Sequence, residues 1–312
     1  MKTLTVLSPV YNEEQVIEGF YEELRSVLSS LDDYASTMLF VVDRCTDDSL
    51  TILEKVAQAD PSVKVLSLSS RFGHQMALLA GIDHTNSDAL IMMDSDLQHP
   101  PSLIPAMLTR FEEGYDIVFT VREDGQEADF LKRLTSRLFY RLINMISDVP
   151  ILQGSADFRL ISRRVVSVFQ AGIRERNQFL RGLFVWVGFK STGINFQSRE
   201  RGGGQSKFSW SRLFQFAAHG VVSFSKRPLQ AAIYLGVSFA LLGFLLALIT
   251  FVEYFTHRSW PPGWATIAIL IPTFSGIQLI FLGVLGQYIG AIFDEVKARP
   301  HYIVERKLNF SD

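Results

Sequence analysis

Two stretches without a single charged side chain constrain this chain more than any other feature. They run from Pro228 to Val252, 25 residues, and from Gly263 to Phe293, 31 residues. A helix rises about 1.5 Å per residue, so each run can cross the roughly 30 Å hydrocarbon core of a bilayer. A soluble hairpin rarely needs two such runs, and a two-helix transmembrane hairpin over residues 228–293 is expected. Pro272 lies within the second run, and Gly286-x-x-x-Gly290 offers it a close-packing face. Lys207, Arg212, Lys226 and Arg227 precede the first run; Lys297, Arg299, Arg306 and Lys307 follow the second; the loop between carries only Arg258. The positive-inside rule then puts both ends in the cytoplasm.

Composition agrees with a divided chain. The 312 residues have a mean hydropathy of +0.18, high for a soluble protein, with the apolar excess concentrated in the two runs. A net charge of −2 gives no global pull toward nucleic acid. The one cysteine, Cys45, excludes an internal disulfide and a cysteine-based zinc site. The chain opens at Met1-Lys-Thr-Leu-Thr-Val directly into a strand-like pattern, so no signal peptide is expected.

Residues 1–125 alternate strand and helix signals. Leu4–Ser8, Met38–Val42, Val63–Leu68, Ala89–Met93 and Tyr115–Val121 read as strands. Helices are expected over the stripe Val16, Ile17, Phe20, Leu24, Val27 and Leu28, over Leu50–Ala57, and around Gln75–Ile82 after Gly73. The polar run Asp43-Arg44-Cys45-Thr46-Asp47-Asp48-Ser49 ends the second strand and caps the helix after it. Strands separated by helices of this length imply an α/β fold with a doubly wound, parallel sheet.

The fourth strand ends in Asp94-Ser-Asp96-Leu-Gln98-His-Pro-Pro101. Ligands of open α/β sheets bind beyond the carboxyl ends of strands. Residues i and i+2 of a strand share a face, and two carboxylates so placed repel unless a cation lies between them. Hard oxygen donors suit Mg²⁺ or Mn²⁺. The residues alone also fit an acidic turn closing a strand.

Two basic segments stand out. Within 130–147, Lys132, Arg133, Arg137 and Arg141 face away from an apolar stripe. That pattern fits a helix lying on an anionic membrane, a surface helix packed on the sheet, or a phosphate-binding face. Within 199–227, six basic residues stand against one acid, Glu200, interleaved with aromatics, after the glycine hinge Arg201-Gly-Gly-Gly204-Gln-Ser-Lys207.

In order along the chain, Pro9-Val-Tyr11-Asn-Glu13-Glu, Asp43, Asp94-Ser-Asp96-Leu-Gln98-His-Pro-Pro, Ala156-Asp157-Phe-Arg159-Leu and Gly204-Gln-Ser-Lys207 carry a resemblance, completed by the two runs and Val296-Lys-Ala-Arg299-Pro300. Essentially the whole chain resembles the family 2 glycosyltransferases that load sugars onto polyisoprenyl phosphates, the group of dolichol-phosphate mannose synthase and bactoprenol glucosyltransferase. The resemblance implies a GT-A fold with a mostly parallel sheet, a nucleotide-sugar donor, a divalent cation, a polyisoprenyl phosphate acceptor and a homo-oligomer such as a tetramer. It implies that Asp94, Asp96 and Gln98 hold Mg²⁺ or Mn²⁺, that Pro9, Tyr11, Glu13, Asp43 and Asp94 contact the nucleotide sugar, and that Asp157 is catalytic. Arg122, Arg133, Arg201 and Lys207 become candidates for the acceptor phosphate, since bidentate arginine clamps phosphate well. The expected organisation is a catalytic domain over 1–198, a basic hinge and juxtamembrane amphipathic helix over 199–227, the hairpin over 228–293, and a tail over 294–312. All but the hairpin would be cytoplasmic, at the inner membrane.

The chain departs from the family pattern twice. The family's Asp-Gly-Ser stands here as Asp43-Arg44-Cys45, and its Arg-Asn-Phe-Gly as Ser70-Arg71-Phe72-Gly73. The leading expectation is inverting transfer of a hexose, with UDP-glucose ahead of GDP-mannose and other UDP-sugars. A polysaccharide synthase is a second reading, although Gln178-Phe-Leu-Arg181-Gly breaks the Gln-x-x-Arg-Trp signature of those enzymes. A membrane-anchored adaptor on a decayed scaffold is a third, opposed by the intact Asp94, Asp96 and Gln98.

Overall fold

The structure is a computed structural model and describes residues 1–122, 155–176, 179–197, 227–257 and 263–310. The chain divides into two compact units: Met1–Arg141, Val149–Ser209 and Arg299–Asp312 form one; Leu142–Asp148 and Trp210–Ala298 form the other.

The first unit is built on one sheet. β1 (Lys2–Val10), β2 (Tyr34–Val42), β3 (Val63–Leu68) and β4 (Ala89–Met92) alternate with α1 (Ile17–Leu28), α2 (Ser49–Ala59) and α3 (His74–Asp83). After β4 come a single 3₁₀ turn, α4 (Ile104–Glu112) and β5 (Ile117–Arg122). Then follow β6 (Ser155–Ser162), α5 (Arg163–Gly172), α6 (Leu180–Trp186), β7 (Ser191–Phe196) and, near the C-terminus, β8 (Val304–Leu308). The last seven residues of β1 are all buried, as strands covered on both faces must be. The apolar stripe of α1 (Ile17, Phe20, Leu24, Leu28) sinks into the same core, where Phe20 meets Phe40 edge to face at 6.2 Å.

The strand order is β7-β5-β6-β4-β1-β2-β3-β8. β1 pairs in parallel with β2 and with β4, β2 with β3, and β5 with β7. β4–β6, β5–β6 and β3–β8 are antiparallel. The sheet is therefore mixed but mostly parallel, as expected: six strands run one way, and β6 and β8 run against them. The sequence conceals this because β6 carries Asp157 and Arg159 inside an otherwise apolar strand, and β8 reads Val-Glu-Arg-Lys-Leu. Within the run expected to cap α2, Asp47 Oδ1 accepts the Ser49 N–H at 3.1 Å, while Asp48 gives no side-chain cap.

Reading outward from β1, the chain moves to β2 and β3 on one side and to β4 on the other. This reversal makes a crevice beyond the carboxyl ends of β1 and β4, the place where open α/β sheets bind ligands.

The segment expected to be a tail returns to this unit as β8, on the outer edge of β3. Tyr302 donates its hydroxyl to Asp83 at 2.6 Å, and Asn309 Nδ2 donates to the carbonyls of Ala57 and Val63. Ser69 N–H donates to the Ile303 carbonyl at 2.9 Å. The edge of β3 is thus paired and not left open to other chains.

The second unit contains α7 (Arg227–His257) and α8 (Trp264–Val296), which touch where Phe239 meets Phe274 edge to face at 5.4 Å. Phe274–Val296 is long and apolar enough to cross a bilayer, and Ala232–Leu245 is a shorter apolar stretch. Among the described residues one such span is found where two were expected. Both helices present large apolar side chains outward, among them Leu241, Phe244, Leu279, Ile280 and Leu282. The expected amphipathic helix over 130–147 and the hinge and helix over 199–227, with Arg133, Arg201 and Lys207, lie outside the described residues apart from Arg227 at the start of α7.

Candidate active site

A cavity of about 350 Å³ opens at the crevice. Pro9, Tyr11 and Glu13 line it from the end of β1, Asp43 from the end of β2, Arg71 and His74 from the start of α3, and Asp94 and Asp96 from the end of β4. The sequence-derived nucleotide residues therefore share one cavity.

The walls are laced together. Asn12, at φ +56°, donates through Nδ2 to Thr46 Oγ1 at 3.0 Å, and its Oδ1 accepts the Thr46 N–H at 2.8 Å. Glu13 N–H donates to Ser49 Oγ at 2.9 Å. These bonds tie the loop after β1 to the loop after β2. Ser95 Oγ donates to the Pro9 carbonyl at 3.1 Å and ties the β4 end to the same frame.

Asp43 is buried, and both its oxygens accept backbone N–H groups: Phe72 at 2.7 Å and Gly73 at 2.8 Å. Gly73 has φ +94°, a conformation a side chain would strain. Asp43 thereby fixes the turn that starts α3, in addition to lining the cavity.

Asp94 and Asp96 behave differently. The Asp96 carboxylate accepts the Gln98 N–H at 3.1 Å, closing a turn in which Leu97 takes φ +64°. The Asp94 side chain is one-third exposed, and the nearest imidazole nitrogens are His74 Nε2 at 3.6 Å and His99 Nδ1 at 3.7 Å. Burial pushes the Asp94 carboxyl up, opposed by His74 and His99 and reinforced by Asp157 and Asp96. His99 Nδ1 accepts the Asp94 backbone N–H at 3.2 Å, so the ring serves that amide while stacking on Phe158 at 5.3 Å. Among the described residues no group of three or more His, Cys, Asp or Glu side chains could hold a metal. Two adjacent carboxylates still fit a hard divalent cation, since Mg²⁺ is typically held by one or two carboxylates plus substrate phosphates. Gln98, the expected third ligand, is half-buried, and it is not among the residues lining the cavity.

Asp157, on β6, is gripped by Arg181 from α6. Arg181 Nε donates at 2.7 Å and Nη2 at 2.8 Å, one to each oxygen. His74 Nε2 stands 3.4 Å away and buried Arg159 Nη2 3.9 Å away. Burial alone would raise this carboxyl, but Arg181, then His74 and Arg159, hold it far below the usual carboxylate range. His74 thus stands between Asp94 and Asp157. Burial disfavours its charged form, yet the two carboxylates outweigh that and raise its pKa. Arg159 lies over the Phe184 ring at 4.7 Å and donates to the Ala156 carbonyl.

Arg122 closes β5 as an exposed residue and is not among those lining the cavity. Sequence reasoning missed His74, Ser95 and Arg181. The signal for His74 was the glycine before it at a helix start, and for Arg181 the altered Gln178-Phe-Leu-Arg181 segment.

Residues 5–169 match the sequence model of a family described as Glycosyl transferase family 2. The bactoprenol glucosyl transferase of Shigella phage SfII is 37% identical over 303 residues, covering 97% of this chain and 97% of that protein. An uncharacterised glycosyltransferase of Bacillus subtilis, YkcC, is 38% identical over 303 residues, covering 97% of this chain and 93% of its own. The crystal structure of mannosyl-3-phosphoglycerate synthase from Rubrobacter xylanophilus superposes with a TM-score of 0.50 at 16% identity, covering 74% of each chain. That likeness is one of fold.

Proposed function

The chain belongs to glycosyl transferase family 2, and from that premise we propose that it transfers glucose from UDP-glucose, with inversion, to a polyisoprenyl phosphate in the membrane. The observation that carries this is the cavity at the strand-order reversal, where Asp94 and Asp96 stand beside Tyr11, Glu13 and Arg71. The name of the SfII relative supports the sugar and the lipid carrier.

In this reading an acceptor phosphate oxygen bonds to the anomeric carbon as the bond from that carbon to the diphosphate oxygen breaks. The electron pair leaves with UDP. Asp94 and Asp96, with Gln98, would hold a Mg²⁺ or Mn²⁺ ion, which supplies neutralisation of the charge developing on the departing diphosphate. A phosphate acceptor is largely ionised near pH 7, with a second pKa of about 6, so it needs no strong base. The state of Asp157 agrees: locked to Arg181, it orients the cationic side chains around it and does not take a proton. Arg122, Arg133, Arg201 and Lys207 are proposed to attract the acceptor phosphate.

Residues 228–252 and 263–293 are proposed to form two membrane spans, with the catalytic unit and both termini on the cytoplasmic side of the inner membrane. The length and apolar character of Phe274–Val296 support the second of these. Gly276, Gly283, Gly286 and Gly290, each with open space where a Cβ would be, support close packing between copies in a homo-oligomer.

The test is transfer by purified protein in detergent with labelled UDP-glucose, undecaprenyl phosphate and Mn²⁺ or Mg²⁺. An organic-phase product carrying one sugar is expected, and it should vanish in Asp96→Ala while the folded protein is still recovered. Labelled polymer, no product, or full activity in Asp96→Ala would each refute a part: the acceptor, the activity, or the metal site.

A further inference from the structure

The ladder of β4 stops just short of its acids. Met93 N–H makes the last rung, donating to the Leu7 carbonyl at 3.0 Å. The next amide, that of Asp94, turns to a side chain instead, and His99 Nδ1 accepts it at 3.2 Å. The stretch from Asp94 to His99 is therefore a loop closed on itself, its first amide held by its last side chain. Within it Ser95 Oγ donates to the Pro9 carbonyl, and the Asp96 carboxylate accepts the Gln98 N–H.

His99 is buried, and it is not among the residues lining the cavity, as Asp94 and Asp96 are. Its ring stacks on Phe158 with 28° between planes and meets Phe196 edge to face at 5.8 Å, while the two phenylalanines meet each other at 6.4 Å. Aromatic side chains from β6 and β7 thus fix the ring, and one nitrogen is left aimed at Asp94. A nitrogen that accepts carries no proton, so the ring hydrogen sits on Nε2. Packing alone would be served as well by phenylalanine, which has no nitrogen to desolvate. The bond to the Asp94 amide is what accounts for an imidazole here. Groups that hold a metal ligand in direction tune the metal without touching it.

We propose that His99 is a positioning residue for the cation site: by holding the Asp94 amide, it keeps the Asp94 carboxylate beside that of Asp96, so that both meet one divalent ion. This rests on the metal-dependent reading above and adds a residue behind the cavity that sets the affinity for the ion.

The test separates the nitrogen from the ring, using the full chain in detergent. His99→Phe keeps the aromatic stack and loses the acceptor. His99→Asn keeps an acceptor near the place of Nδ1 and loses the stack. His99→Leu, with the shape of asparagine and no polar atom, loses both. Mn²⁺ dissociation constants are read by electron paramagnetic resonance with and without UDP, and melting of the metal-free protein by circular dichroism. Losing the group that orients a metal ligand weakens the metal by about 10- to 100-fold. His99→Phe should bind Mn²⁺ more weakly than wild type by roughly that factor, and His99→Leu more weakly than His99→Asn by a similar one. Melting should sort differently, with His99→Phe closer to wild type than His99→Asn; a merely structural residue would move affinity and melting together. Equal Mn²⁺ affinity within either pair overturns the proposal, as does affinity that follows the aromatic ring and not the acceptor. Should His99→Phe fail to fold, the comparison of His99→Asn with His99→Leu decides. A wild type that binds Mn²⁺ leaves the metal reading standing whatever the variants do, and one that binds none sinks both.

Discussion

Replacing Asp157 by asparagine separates a carboxylate that positions from one that takes a proton. The asparagine keeps the shape and one acceptor oxygen but removes the charge that Arg181 grips with two bonds of 2.7 and 2.8 Å. The Arg181 side chain is 40% exposed, so solvent screening limits the direct loss there to about 1 kcal/mol. Arg159 is the larger matter. It is 3% exposed, and Asp157, at 3.9 Å, is the acid paired with it. Leaving a buried charge without its partner costs about 3–5 kcal/mol. In a domain of this size that lowers the melting temperature by roughly 6–20 °C. Asp157→Asn should therefore unfold earlier, followed by circular dichroism in detergent. Adding Arg159→Met should recover part of the loss, since the buried charge goes with it. The pair should then couple by about 1–3 kcal/mol in a double-mutant cycle. Wild-type melting combined with a turnover number reduced more than about a thousandfold would refute this, because it would mark a group acting on the reacting atoms.

Three further outcomes are expected. Gly81 lies against β1, and a Cβ there would stand 2.2 Å from Leu7 Cδ1, so Gly81→Ala should destabilise by about 1–3 kcal/mol despite its better helix propensity; a double variant with Leu7→Ala that is no more stable than the summed single losses would refute the clash. For Asp60, burial would raise the carboxyl, but the Ser62 hydroxyl and N–H, the Tyr21 hydroxyl and Arg25 hold it below its ordinary value. A depressed folded pKa gives stability present above about pH 4 and lost as pH falls through the folded value. The advantage of wild type over Asp60→Asn should shrink below that pH in denaturant titrations, and a gap constant from pH 7 to pH 3 would contradict it. Removing residues 299–312 uncovers the edge of β3 and frees Ser69 from the Ile303 carbonyl. The shortened protein should aggregate on size-exclusion chromatography and bind UDP more weakly, whereas a monodisperse protein with unchanged UDP affinity would show that β8 is dispensable.

Much of the central fold was legible because its strands and helices declare themselves locally. β1 to β4 are short, mostly apolar segments of strand length, and α1 repeats apolar residues at helical spacing, so the local pattern locates them. β8 gives no such signal: three charged residues lie between Val304 and Leu308, and only the exposed edge of β3 makes a strand of them. β7 is similarly decided by its partner, with mostly exposed or half-buried residues pairing along β5. The site divides in the same way. Asp94 and Asp96 were legible as acids at a strand end. His74 and Arg181 were not, because each meets Asp157 from a different element and nothing in local spacing brings them together.

The carboxylates at the crevice also sort into roles by what already satisfies them. Both oxygens of Asp43 accept backbone amides within 2.8 Å, and both of Asp157 accept the Arg181 fork. A ligand wanting either oxygen must displace a short bond inside the protein, and for Asp157 a charge-assisted pair. These two acids therefore shape the site: Asp43 sets the turn that carries Arg71 and His74, and Asp157 sets Arg181. Asp94 is the contrast. It is one-third exposed, the closest imidazole nitrogens stand at 3.6 and 3.7 Å, beyond good hydrogen-bond range, and its neighbours Asp96 and Asp157 are of like charge. A carboxylate left so under-compensated gains most from a cation. The reversal of strand order puts it beside the loop after β1, where the donor's diphosphate would bring one.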